Sequence, residues 1–203
     1  GKSPLLLYAD APMSRINFSM QIEEEGVLDE KAQIAWEKAS EDWRAYGDRT
    51  IPHSTGHLLR LNDVKSLVVD RDDLQQKLDE AAPGVRETLK KQRWEALTDE
   101  QRKVFEMKPT ERNSMQEGWV RGEGQQLLYV STFDIVEGAP EESKARARKI
   151  AERLIDLETR TLAHAVAYRS QMNYDYWETR CAMEQSEVAV TARRNLFEAE
   201  KFM

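Results

Sequence analysis

Residues 141–203 read EESKARARKIAERLIDLETRTLAHAVAYRSQMNYDYWETRCAMEQSEVAVTARRNLFEAEKFM, and this stretch contains neither glycine nor proline. All 9 glycines and all 6 prolines of the chain precede it. Those residues punctuate helices and turns, so the stretch reads as helix with almost no permitted stops. One straight helix of that length would span about 95 Å at about 1.5 Å per residue, which predicts a rod or a helix that folds back on itself. Its start is well formed. Pro140 suits a first helical position, and Glu141 and Glu142 suit the positive end of the helix dipole. Ile150, Leu154, Leu157, Thr161, His164 and Tyr168 then form a heptad-like seam, which Ala151, Ile155, Leu162 and Val166 widen into the broad apolar face of a bundle helix.

Near Asn173 the pattern slips. From Gln171 to Tyr174 is three residues where the earlier spacing asks for four. The new seam is Tyr174, Trp177, Cys181, Val188, Ala192, Leu196 and Ala199. Ser186 is placed to cap a last helix. The expectation is a long helix to about Glu184, a turn or kink, and a final helix.

Upstream, Ala32, Trp36, Ala39, Trp43 and Tyr46 recur at steps of four, three, four and three, predicting a core-facing helix over 29–46 with Gly47 as its C′ cap. Residues 1–26 carry Pro4, Pro12 and Gly26 with poor apolar spacing and read as irregular, with Glu23–Glu25 as a solvated charge run and Asn17-Phe18-Ser19 as a chance match to a glycosylation sequon. Residues 48–61 form a connector. Val64, Leu67, Val68, Leu74, Leu78 and Ala81 read as helix, with Asn62 as N-cap, a break allowed at Asp70–Asp73 and a short strand allowed at Leu67–Val69. A helix over 85–97 follows. Thr98-Asp99-Glu100-Gln101 is a capping box for a short helix, and Thr110 is set to cap another that buries Met115 and Trp119. Residues 125–136 are locally β-rich but have no adequate strand partner, so a buried irregular or helical crossover is expected. Gly138 and Pro140 mark the main boundary.

Charged residues make up 33% of the chain and hydrophobic ones 40%, with five Trp, six Tyr and five Phe, too much apolar material for a disordered chain. The net charge is −7. The last 63 residues hold 11 basic and 11 acidic residues, so the whole excess lies before them. An acidic surface repels phosphate backbones, which argues against nucleic-acid binding, and no basic cluster stands out that would draw the chain to an anionic membrane. One cysteine excludes an internal disulfide and a Cys-rich zinc site. No stretch approaches the ~18 apolar residues of a spanning helix. The chain opens on Gly1-Lys2 without an initiator methionine and closes on Phe202-Met203 inside a helical pattern, so the expectation is a segment of a longer protein.

The inventory of chemistry is thin. His53-Ser54-Thr55-Gly56-His57 is the only paired-histidine feature. His53 and His57 with a remote carboxylate could hold a transition metal, but Pro52 and Gly56 interrupt a helix and the glutamate of an HExxH site is missing. His164 reads as a buried histidine bonded to a hydroxyl or carbonyl, and Cys181 as a small core hydrophobe. Ser54 and Ser131 lack a nucleophile elbow. Gly122-Glu123-Gly124 is too short and acidic to cradle a phosphate, and Asp70–Asp73 lacks the EF-hand glycine. Tyr174, Tyr176 and Trp177 cluster at the phase slip. They point to different faces, which makes them candidate interaction residues.

These observations predict an all-α irregular multi-helix bundle with a long C-terminal helix or helical hairpin, organised as an acidic segment of short helices over 1–139 and a helical segment over 140–203 packed on it as one domain. The expected role is a non-enzymatic interaction or scaffold domain without cofactor. It would act through a protein partner or self-association of helices, without nucleic acid and without membrane insertion of this segment, as the soluble part of a larger, membrane-tethered or exported protein. The alternative is a ligand- or metal-binding sensor built on His53 and His57.

Overall fold

A computed structural model describes residues 4–53 and 56–201; Gly1, Lys2, Ser3, Ser54, Thr55, Phe202 and Met203 lie outside the described residues. The fold is all-α. In chain order the helices are α1 (Pro4–Glu24), α2 (Glu30–Asp48), α3 (Val64–Ala81), α4 (Val85–Ala96), α5 (Asp99–Glu106), α6 (Ser114–Trp119), α7 (Gln125–Leu128), α8 (Thr132–Gly138), α9 (Glu141–Asp156), α10 (Ala163–Gln171), α11 (Tyr174–Glu184) and α12 (Glu187–Glu200). Two-residue strands β1 (Ile51–Pro52) and β2 (Leu58–Leu59) pair antiparallel, Ile51 opposite Leu59. The chain forms two compact units, residues 1–68 with 158–203 and residues 69–157. The Gly138–Pro140 boundary read from the sequence falls inside the second unit, at the α8–α9 junction.

The first unit is built on an α-hairpin that the punctuation of the sequence conceals. Residues 4–24 are helical, not irregular. Leu5, Ala9, Pro12, Ile16 and Ser19 are buried at steps of four, three, four and three, the same rhythm as Ala32, Trp36, Ala39, Trp43 and Tyr46 on α2. The two seams share one core. They run antiparallel, since the Tyr46 hydroxyl donates to the Leu5 carbonyl (3.3 Å) and Trp36 Nε1 donates to Glu23 Oε1 (2.7 Å). Pro12 costs an interior helix roughly 3 kcal/mol. Full burial of Leu5 and Ile16 returns about 1.5–3 kcal/mol each, and Pro12 itself adds to the seam. Outward-facing Leu7 and Phe18 blur the amphipathic signal.

Gly47 is not a cap. It is buried within α2, which ends a residue later at Asp48. A Cβ there would overlap the Tyr174 hydroxyl and stand 2.5 Å from Asn62 Oδ1. Asn62 caps nothing; it precedes α3 in a 3-10 turn (Leu61–Asp63) and bonds to side chains and backbone of α2.

The C-terminal part of the same unit is helical throughout but broken as the phase slip implies. A π-helical turn (Leu157–Leu162) leads into α10. The break falls at Asn173, the only non-glycine residue with positive φ among the described residues (φ +49°), a conformation Asn tolerates better than most. Ser186 caps α12, its side chain accepting from Ala189 N at 3.3 Å. The predicted long helix is thus α9, the π turn and α10, stopping at the slip; α11 continues to Glu184.

The second unit runs from within α3 to α9. α3 is continuous through Asp70–Asp73, and Leu67–Val69 is helical. Leu74, Leu78 and Ala81 pack with Ile135, Val136, Ala147, Ala151 and Leu154. The Ser143 hydroxyl donates to the Ala81 carbonyl at 2.6 Å, tying α9 to the end of α3. The Thr98–Gln101 capping box forms as expected. Asn113 with Gln116, rather than Thr110, starts α6; Met115 is 85% exposed, while Trp119 packs edge-on to Phe105, which in turn meets Trp94. The β-rich stretch is helical, as α7 and α8, with Ser131 and Asp134 forming a third capping box.

Gly47→Ala is expected to destabilise the chain by about 1–3 kcal/mol in urea unfolding through overpacking. Combining it with Tyr174→Phe, which removes the overlapping oxygen, should cost less than the sum of the two single changes. Strict additivity would mean that Gly47 does not serve to admit the phenol.

Candidate functional site

The sequence singled out Tyr174, Tyr176 and Trp177, and the structure gives each a different environment. Tyr174 is fully buried. Its ring stacks on Trp43 (5.3 Å, 22°) and its hydroxyl lies 2.8 Å from Asn62 Oδ1 and 3.2 Å from the Trp43 carbonyl. Trp43 Nε1 donates in return to the Tyr174 carbonyl at 3.1 Å. Arg169, 8% exposed, lies over this ring, with Cζ 4.4 Å from the centroid. It donates to the Leu61 carbonyl (2.6 Å) and pairs with Asp175 and Glu178. A burial this complete, with every polar atom engaged, is structural. Desolvation pushes the pKa of Tyr46 and Tyr174 above the ordinary phenol range, so both remain neutral donors. An open cavity of about 310 Å³ lies beside the Arg169–Tyr174 pair, lined also by Val64, Val166, Ser170 and Asn173.

Trp177 is half-buried against the core, edge-on to Tyr176 at 4.9 Å. Tyr176 is 55% exposed, and its hydroxyl accepts from Arg180 at 3.1 Å. Of the three, it alone offers an open aromatic surface. Further along, the second seam divides. Cys181 is in the core, but Val188 (79% exposed) and Leu196 (65%) are not, and Ala192 and Ala199 are exposed with them. The opposite side of α12 does the packing: Val190 is buried, and Phe197 lies against Gly26, where a Cβ would stand 2.6 Å from the ring. α12 is therefore apolar on two faces, and only one is covered within the unit. Beside it, Met20, Glu23, Leu28, Arg180, Arg193 and Phe197 are among the lining of a cavity of about 450 Å³. Glu23, expected to be solvated, is largely buried there, bonded to Trp36 and ion-paired with Arg193, which also pairs with Glu184. Sequence could have found this surface from the spacing of Val188, Ala192, Leu196 and Ala199, but spacing alone cannot say which stripe is covered.

His53 and His57 do not form a helical pair. His53 N donates to the His57 carbonyl at 2.8 Å, continuing the pairing of β1 with β2. The His53 ring instead stacks on His164 of α10 at 3.9 Å, with Tyr168 5.5 Å away. That juxtaposition of residues 111 apart left no signal in the sequence. Burial first, then the His164 and His57 imidazoles, hold His53 below the ordinary histidine range. Among the described residues no group of three or more His, Cys, Asp or Glu side chains could hold a metal ion. Ser54 lies outside the described residues, and Ser131 is consumed by its capping box. Burial pushes the Cys181 thiol up to about 11, away from nucleophilic chemistry. No helix among the described residues is long and apolar enough to cross a membrane.

No protein-family model, curated protein or solved structure matches the chain.

Native Cys181 should resist a maleimide at pH 8 and label fully once urea unfolds the chain; rapid native labelling would place it outside the core. Because folded His53 resists protonation more than the unfolded chain does, its contribution is neutral above the ordinary histidine value of about 6.5 and becomes destabilising as pH falls through it. His53→Gln should therefore flatten the loss of urea midpoint between pH 7.5 and 5.5, and an unchanged slope would assign that loss elsewhere.

Proposed function

We propose that this chain is a non-enzymatic helical interaction domain that docks a helix of a protein partner, or of a second copy, on the outer face of α12. One observation carries the reading: Val188, Ala192, Leu196 and Ala199 recur at steps of four, four and three along the uncovered side of α12. That spacing keeps the stripe in line with a straight helix of 3.6 residues per turn. Alternating large and small residues offer ridges and gaps of the kind a second helix fills. Tyr176 and Met183 on the preceding helix α11 are exposed as well. An uncovered stripe of this length is more than the scattered single apolar residues that a soluble surface ordinarily carries. Buried polar side chains that would suggest a reaction centre are absorbed here by structural bonds, such as Arg169 to Leu61 and Trp43 to Tyr174.

A second reading, a ligand- or proton-responsive sensor, is supported by the His53–His164 stack beneath Tyr168. Two imidazoles at that distance resist joint protonation and can share a soft metal once a third ligand is supplied from outside. Stoichiometric zinc or nickel in the purified chain, lost in His53→Ala, would favour it over the first.

Val188→Lys with Leu196→Lys is expected to leave stability within about 0.5 kcal/mol, since both side chains are exposed. It should abolish association, whether self-association by sedimentation equilibrium or site-specific photo-crosslinking of a partner from position 192. Association that persists unchanged in the double variant would overturn the reading.

A further inference from the structure

The second unit carries a cationic groove that the overall charge conceals. α9 has five basic residues within ten positions: Lys144, Arg146, Arg148, Lys149 and Arg153. Two are matched, Lys144 (3.1 Å) and Arg148 (3.9 Å), both to Glu137. The other three, Arg146, Lys149 and Arg153, are exposed and form no ion pair among the described residues. They lie along one edge of α9 and, with Lys77 of α3, Ala145 and Ile150, line a groove of about 550 Å³. Lys77 is ion-paired with Asp73 one turn earlier. The packing of α9 fixes this edge. Ala147, Ala151 and Leu154 are buried against α3, and residues 146, 149 and 153 follow on the flank of that stripe. Three like charges held on one edge repel one another even in water, a cost that a bound anion lowers.

The geometry points to a docking site for an acidic amphipathic helix of a protein partner. The spacing makes the choice. Positions 146, 149 and 153 advance about 4.5 and 6 Å along the helix at 1.5 Å per residue. A single phosphate is too small to reach all three, whereas Glu or Asp residues at i, i+4 and i+7 of a helix lying alongside α9 present carboxylates over the same span. An apolar residue on that face would rest on Ala145 and Ile150. No aromatic side chain lines the groove, so it lacks the stacking platform that single-stranded nucleic acid uses. This groove belongs to residues 69–157 and shares no residue with the α12 stripe, so either site can fail without the other.

The probe is a fluorescein-labelled synthetic helix with Glu at i, i+4 and i+7 and Leu between them, followed by anisotropy with the full chain at 30 mM and 300 mM NaCl. Controls are a peptide of the same composition with the glutamates scrambled around the helix, inorganic tripolyphosphate, a single-stranded RNA oligonucleotide, and vesicles containing 30% phosphatidylserine. The expected result is at least tenfold tighter binding of the patterned helix than of the scrambled one, weakening with salt. Arg146→Glu/Lys149→Glu/Arg153→Glu should abolish it, while Lys144→Ala and Val188→Lys/Leu196→Lys should leave it unchanged. All three reversed residues are exposed, and far-UV circular dichroism with urea unfolding checks that the triple variant folds. Equal binding of patterned and scrambled peptides, tighter binding of RNA or vesicles than of the patterned helix, displacement by tripolyphosphate at the same concentration as by unlabelled helix, or unchanged binding in a folded triple variant would each overturn the assignment.

Discussion

The first unit is discontinuous in sequence, and Tyr174 is the side chain that closes it. Trp43 and Tyr174 are 131 residues apart, and the Trp43 indole N–H donates to the Tyr174 carbonyl around a stacked ring pair. Bringing ends so distant together costs about 4 kcal/mol of loop entropy beyond the constant for short loops. Burying Trp43, Tyr46 and Tyr174 returns more than that, since each aromatic removes about 150–250 Å² from water at about 25 cal/mol per Å². The closure is also specific. The phenol fits only because position 47 has no side chain, and its hydroxyl finds Asn62 Oδ1 because the Asn62 amide nitrogen is already committed to Asp48 and Arg44. A residue that is merely large and apolar at 174 would bury area but would leave Asn62 Oδ1 unpaired in a partly buried site, a cost comparable to the hydrogen bond itself.

What the sequence made legible follows from which signals are local. The α2 stripe, the Thr98 capping box, the Ser186 cap and the phase slip at Asn173 each depend on residues within a turn or two of one another, and each appears where the spacing placed it. The failures share the opposite character. α1 looked irregular because Pro12 counts against a helix locally, while the burial that outweighs it is supplied by α2. Gly47 looked like a cap because it follows the last aromatic of the stripe; its true constraint, the Tyr174 hydroxyl, comes from the far end of the chain. Glu23 looked solvated within its acidic run, yet Trp36 and Arg193 draw it inward.

The candidate surfaces were legible to an unequal degree for the same reason. The aromatic knot at 174–177 was visible, but its division into a core wedge, a half-buried indole and an open phenol depends on the turn at Asn173, which sets the helical phase of everything after it. The stripe on α12 was visible as a seam, but a seam does not declare whether it is covered. That distinction needs the inward face, Val190 and Phe197, to be seen taking the available core. The His53–His164 stack required knowing that the 51–59 hairpin meets α10, which no local pattern encodes.

Electrostatics shows most sharply how averaging hides structure. A net charge of −7 describes the far field, which governs solubility and the approach of large polyanions. At physiological salt the Debye length is about 8 Å, so a carboxylate arriving beside Arg146 responds to the few charges within that radius. There the cations are unevenly placed, because Glu137 pairs with Lys144 and Arg148 on another edge of the helix and leaves Arg146, Lys149 and Arg153 together along the groove. The neutral total of the last 63 residues is thus a cancellation in count rather than in space. Excluding anionic partners from composition alone therefore holds for partners that average over the whole surface and fails for one narrow enough to lie along a single helix edge.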